Sequence, residues 1–223
     1  MAQKPKEPAA ERPSGETFTL TLSKPIKGDD GRVWETLTAV EPELRHVVAA
    51  GMPLTVTTIV NGKPAVQAAR TRTAQEQTIA LVSAITGIPE TAVSRMKVRD
   101  AKAINGWVDD LRRQAFEAAA PVDDDDGATF ALLAPIADGG RVISELHVRE
   151  PDLAAGVATE PFKTEGEQMR AMIASLTGLT IPVINGLKLR DVTRVEAYVV
   201  PLLDGSTPNA GNGSNSALPI AGA

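Results

Sequence analysis

Apolar and polar residues alternate in Phe18-Thr19-Leu20-Thr21-Leu22 and, more loosely, from Val33 to Leu37. A period of two predicts strands with one buried face, and Gly28-Asp29-Asp30-Gly31 between them predicts the turn of a β-hairpin. The pattern returns in Phe130–Ile136, Asp138-Gly139-Gly140 and Val142–Val148. After each hairpin the period becomes helical. Ile79, Val82 and Ile85 share one helix face, as do Met169, Met172, Ile173 and Leu176. A later face carries Ile104, Trp107, Val108 and Leu111, and its counterpart carries Val195, Tyr198, Val199 and Leu202. Both follow the i, i+3, i+4, i+7 spacing.

These elements are one unit written twice. Gly31-Arg32-Val33 through Glu41-Pro42-Glu43-Leu44 aligns without gaps on Gly140-Arg141-Val142 through Glu150-Pro151-Asp152-Leu153. Thr73 to Glu76, Gly87 and Lys97-Val98-Arg99-Asp100 align on Thr164 to Glu167, Gly178 and Lys188-Leu189-Arg190-Asp191. The recurring residues have structural jobs. Pro42 and Pro151 suit the first helical position, where a missing N–H costs nothing. The acids at 41, 43, 150 and 152 suit the positive end of a helix. Thr73-x-x-Glu76 and Thr164-x-x-Glu167 predict capping boxes. Gly87 and Gly178 predict left-handed helix ends, after which Ala92–Met96 and Val183–Leu187 are short apolar segments. Asp100 and Asp191 are expected to cap the last helix, and Pro201 to shorten or kink its second copy.

The expected fold is α+β: two repeated small units, each an N-terminal β-hairpin followed by three short helices. Repeat 1 spans 17–117 and repeat 2 spans 129–203. An insert near 51–68 distinguishes repeat 1. Its β-branched run and Asn61-Gly62 turn fit either an extra hairpin or a mobile apolar loop. Residues 1–16 and 204–223 are too polar or too small-sided to bury much and are expected to be disordered. Residues 118–128, with four consecutive acids at Asp123–Asp126, predict a solvated acidic linker.

Composition narrows the chemistry. The chain has 223 residues, net charge −5 and no cysteine. Disulfides and thiolate metal sites are therefore excluded. There is no Lys/Arg cluster of the kind that phosphate neutralisation needs, which argues against nucleic acid. The polar N-terminus has no apolar core of a signal peptide, and no stretch has the roughly 20 apolar residues of a membrane span. Both point to a cytosolic protein. Aromatics make up 3% of residues, so the cores must rest on aliphatic side chains.

Each candidate site has a plainer structural account. Asp123–Asp126 could attract a divalent cation but lacks the spaced ligands of a calcium loop. Arg99-Asp100 and Arg190-Asp191 fit a helix cap with a local ion pair. His46 and His147 occupy unrelated positions in the two repeats. No hydrolase elbow, zinc helix, phosphate loop or dinucleotide glycine pattern is present, so the expectation is a protein that is not an enzyme and uses no cofactor or metal. The face of the last helix is mainly core. Any part left open would form a groove lined by Met96, Val108 and Leu111, or by Leu187, Val199 and Leu202, that could bind another helix.

Phe18 through Ile26, Gly31-Arg32-Val33, Leu37, Glu41-Pro42 and Leu44 resemble the opening of the phage tail assembly chaperone family of contractile-tailed, Mu-like phages. Leu81 through Ile88, Val93 and Arg99-Asp100 resemble that family's helical half. Repeat 2 carries the likeness through Pro135-Ile136, Glu150-Pro151 and Leu176-Thr177-Gly178-Leu179. The usual member has one unit, so the tandem duplication and the insert are departures. The resemblance implies a non-enzymatic role in virion morphogenesis. Such a protein would bind the phage tape measure protein, with the tail tube protein as a further partner. It would keep the tape measure soluble in the host cytoplasm until tube polymerisation, and be absent from the mature virion. Family members are often also made as a longer, frame-slipped product. The alternative is a structural tail or baseplate component.

Overall fold

The computed structural model describes residues 17–52, 59–60, 63–64, 72–118 and 120–203. Repeat 1 begins with strands β1 (Thr17–Lys27) and β2 (Val33–Val40), paired antiparallel. Helices α1 (Leu44–Ala50), α2 (Ala74–Thr86), α3 (Glu90–Val93) and α4 (Val98–Ala115) follow. Between α1 and α2 a two-residue ladder pairs β3 (Ile59–Val60) with β4 (Lys63–Pro64). The insert therefore holds the core of an extra hairpin, and its remainder lies outside the described residues. Repeat 2 has β6 (Gly127–Asp138), β7 (Arg141–Arg149), α5 (Leu153–Val157), α6 (Glu165–Thr177), α7 (Ile181–Ile184) and α8 (Leu189–Leu203). A short strand β5 (Val122–Asp124) precedes them.

The α+β architecture and the two-unit layout hold. In each unit the short apolar segment before the last helix (Ala92–Met96, Val183–Leu187) begins in a one-turn helix, α3 or α7, and continues past its end. Both capping boxes form: Glu76 N–H donates to Thr73 Oγ1 at 3.3 Å, and Thr73 N–H to the Glu76 carboxylate at 2.7 Å. Thr164 and Glu167 repeat the exchange at 3.3 Å each way. Gly87 and Gly178 close the helices at φ 72° and 67°, a conformation in which a Cβ is strained.

Several expectations change. Pro42 and Pro151 precede the caps: Glu43 and Asp152 are the N-cap residues of α1 and α5. A carboxylate at N-cap can accept from the first-turn N–H groups, as Asp152 does from Ala155 N–H at 2.7 Å, so the prolines lie two positions outward of the first helical residue. His46 completes the α1 cap, its Nδ1 accepting the Glu43 N–H at 3.2 Å. Helix α8 runs through Pro201 to Leu203. The acidic stretch is no linker either. Val122–Asp124 pairs with Gly127–Thr129, so the acids form a tight β-turn on the edge of the second sheet. Asp124 stabilises it by accepting Asp126 N–H at 3.0 Å. Edge strands tolerate charge because their outer face is solvated. Residues 1–16 and 204–223, where disorder was expected, lie outside the described residues.

Asp100 and Asp191 do not cap their helices. Lys97 is the N-cap of α4, and Asp100 lies inside its first turn. In both hairpins the first strand bulges: Thr21–Thr36 pairing jumps to Ile26–Trp34, and Ala131–Glu145 jumps to Ile136–Ile143. Each bulge contains a proline, Pro25 or Pro135, which lacks a donor and is tolerated only where the ladder is broken. The freed donors go to the buried aspartates. Asp100 accepts from Ser23 N–H at 3.2 Å and Ser23 Oγ–H at 2.8 Å. Asp191 accepts from Leu133 N–H at 2.9 Å and Ala134 N–H at 3.3 Å. Arg194, which stacks over Phe130, lies 3.3 Å from Asp191. Burial pushes the Asp191 carboxyl upward, opposed by those N–H groups and Arg194.

The helices cover one face of each hairpin: α2 and α4 pack on β2 and β1, α6 and α8 on β7 and β6. Phe18 stacks on Trp107, and Phe130 meets Tyr198 edge-on, so one helix position in each repeat holds the aromatic anchor. The two sets of helices share a single apolar core, and α4 packs directly against α8.

Replacing Asp191 by Ala should leave two buried strand N–H groups without their acceptor and remove the carboxylate beside the buried Arg194, and destabilise by about 3–5 kcal/mol. Asp100→Ala should cost less, about 1–3 kcal/mol. Urea denaturation midpoints of the two variants test the order.

Candidate partner-binding surface

The six groove residues fall on the helices that close the molecule. Val108 and Leu111 are each 2% exposed, and Leu187 and Val199 are fully buried. Met96 and Leu202 are partly buried against the same core. The open groove is thus corrected for four of the six. Helical periodicity shows that a face is buried but not what buries it. Here the cover includes the other repeat, because α4 lies on α8.

The residues that join the repeats escaped sequence reasoning. Glu41 is completely buried, and Arg190 grips it with two bonds, Nε to Oε1 at 2.9 Å and Nη2 to Oε2 at 2.7 Å. Lys188 Nζ lies 3.0 Å from the Glu43 carboxylate. The backbones meet as well. Leu44 N–H donates to Leu187 C=O and Leu189 N–H to Pro42 C=O, both at 2.8 Å, forming an antiparallel bridge between Glu43 and Lys188. Arg190 is therefore committed across the repeats, whereas Arg99 remains near its neighbour Asp100 at 3.8 Å. The available signal was charge: the acidic Glu41-Pro42-Glu43 motif and the basic Lys188-Leu189-Arg190 motif are complementary. The cyclic logic of the repeat made each look like a local cap.

Glu196 on α8 is strongly perturbed. It is 6% exposed, and its Oε1 has no hydrogen-bond partner among the described residues. Burial pushes its carboxyl to about 8, opposed by Arg112 of α4 and reinforced by Glu165 of α6. Burial also holds the His46 imidazole below its usual range. Neither group stands in a metal site: among the described residues no three His, Cys, Asp or Glu side chains cluster to hold an ion.

Apolar side chains left on the surface include Val98, Phe116, Leu153, Val157 and Leu203. Phe116 and Leu203 follow or end the two long helices, while Val98, Leu153 and Val157 sit at helix starts or in the short α5. No described helix is long and apolar enough to cross a membrane. This is a hairpin-and-helix fold in which, among the described residues, apolar side chains remain exposed at the helix ends.

A protein family described as phage tail assembly chaperone proteins, E, or 41 or 14, matches the chain twice, over residues 19–112 and 129–204. The chain belongs to this family, and carries it as a tandem duplication. No curated protein and no solved structure matches the chain. The family is generally non-enzymatic, and its role implies phage tail proteins as partners.

Glu196→Gln tests the buried carboxyl. Its folded pKa is raised, so the folded state holds a proton that the unfolded state releases above about 4.5. The wild type should lose stability as pH rises from about 4.5 to 8 and level off beyond, at about 1.4 kcal/mol per tenfold change in proton affinity. The glutamine variant should lack that slope, and so melt higher than wild type at pH 8 but close to it at pH 4.5. Thermal melts across this range read the difference.

Proposed function

We propose that this protein is a non-enzymatic tail assembly chaperone that binds the tape measure protein in the host cytoplasm. It keeps that protein soluble until the tail tube polymerises around it, then leaves before the virion is complete. Membership of the tail assembly chaperone family in both repeats carries this reading. The physics is compatible. Exposed apolar side chains at the ends of the long helices, Phe116 and Leu203, with Leu202 partly open beside the latter, offer contact area to an apolar helix. A binder that holds its client only until polymerisation shifts the client's equilibrium by mass action and needs no catalytic group. Two repeats in one rigid body would present such contacts at a set spacing, in contrast to two units on a flexible tether.

Co-expression with the tape measure protein tests the proposal. The tape measure should move into the soluble fraction and co-purify with the chaperone. Unchanged insolubility and no complex would overturn it. Mass spectrometry of purified particles provides the second readout: a fixed copy number in the virion would favour a tail or baseplate component instead.

A further inference from the structure

The contact between the repeats uses each repeat once and leaves its other half unused. Repeat 1 presents a front edge, Glu41-Pro42-Glu43-Leu44. Repeat 2 receives it on a back edge, Leu187-Lys188-Leu189-Arg190. The duplication places a second front edge on repeat 2, Glu150-Pro151-Asp152-Leu153. It places a second back edge on repeat 1, Met96-Lys97-Val98-Arg99. A two-fold arrangement would have joined these two as well. They are instead open. Leu153 is 92% exposed, while its counterpart Leu44 is 0% exposed. Val98 is 70% exposed, while its counterpart Leu189 is 1% exposed. Val157, the counterpart of the packed Val48, is 60% exposed. Glu150, Asp152, Lys97 and Arg99 are all exposed too.

The charges at the open edges keep the complementarity of the closed contact. Glu150 stands where Glu41 does and Arg99 where Arg190 does. Asp152 and Lys97 match Glu43 and Lys188. A contact between two unlike surfaces carried by one chain is heterologous, and it propagates between copies into a ring or an open chain. We propose that the front edge of repeat 2 docks on the back edge of repeat 1 of a second copy of this chain, through the same bridge that joins the repeats within one chain.

The contact between copies differs from the internal one in a way that sets its strength. In α6, Gly166 lets Val48 approach so closely that an added Cβ would lie 3.3 Å from Val48 Cγ2. The matching position in α2 is Gln75, so Val157 of the second copy is held farther out. The contact between copies also lacks the covalent linkage that raises the effective concentration of the internal one. Its association is therefore reversible and concentration-dependent. This inference stands on the repeat geometry and is independent of which tail protein the chain binds.

Sedimentation velocity of the full chain over a wide concentration range is the test. Wild type should exceed the 23.4 kDa monomer as concentration rises. Arg99→Glu and Glu150→Arg place like charges across the open edges, and each alone should weaken association roughly tenfold or more. Glu150→Arg is at an exposed site and should melt like wild type. Arg99→Glu also loses the 3.8 Å contact of the exposed Arg99 with Asp100 and should melt slightly lower, so the double variant and the mixture separate lost folding from lost association. The double variant, and a 1:1 mixture of the two single variants, should associate again because each restores an opposite pair. A wild type that stays monomeric throughout overturns the proposal. So does association that survives both single variants, or that the swapped pair does not restore.

Discussion

The carboxylate of Glu41 is wholly out of water, and the guanidinium of Arg190 is what makes that tolerable. Removing a charge from water costs several kcal/mol, recovered only when the partner is close and well aligned. Arg190 satisfies both conditions with a two-pronged grip, and its own backbone N–H lies 3.4 Å from the same carboxylate. The two groups are 149 positions apart in the chain. Separating the repeats would strand Glu41 without its counter-charge and break the backbone bridge beside it. It would also expose the α4–α8 seam. Three losses of different physical kinds thus fall on one motion, and the tandem units behave as one body.

Within each repeat the corresponding constraint is the strand bulge. A proline in the first strand interrupts the ladder, and the interruption frees backbone donors in a buried place. An aspartate from the first turn of the last helix accepts them. Helix and strand are therefore tied at a point where hydrophobic contact alone would permit sliding. The same solution appears at Asp100 and at Asp191, but with different supporting chemistry. Ser23 adds a hydroxyl donor in repeat 1, where repeat 2 has Leu133 and brings in Arg194. Duplication preserved the tie and let its surroundings drift.

Drift matters for function because the two copies no longer have equivalent surroundings. Matching motifs are buried in one repeat and exposed in the other, as Leu44 and Leu153 show. Joining two units occupies one edge of each and leaves one edge of each sign exposed. The helix face that a lone unit could offer to a client is, in this chain, covered by the neighbouring repeat. Among the described residues, the ends of the long helices and the two open edges keep apolar side chains exposed.

Local chemistry was legible in the sequence because it depends on neighbours a few positions away. Alternation marked the hairpins, Thr-x-x-Glu marked the caps of α2 and α6, and Gly87 and Gly178 marked their ends. The duplicated order of these signals revealed both units and the family. Reading failed where a residue's partner is remote. Asp100 and Asp191 looked like caps because the strand donors they serve are more than 50 positions away. Asp123–Asp126 looked like a linker because charge suppresses burial but not pairing at an edge. Val108, Leu111, Leu187 and Val199 looked available because an amphipathic face records only that it is covered. The sequence by itself determined the unit and its duplication, since turn, cap and period are local. Only the tertiary structure decided which copy's charges and apolar faces meet. That choice depends on how two nearly equivalent surfaces lie in space, and their equivalence hides it from the letters.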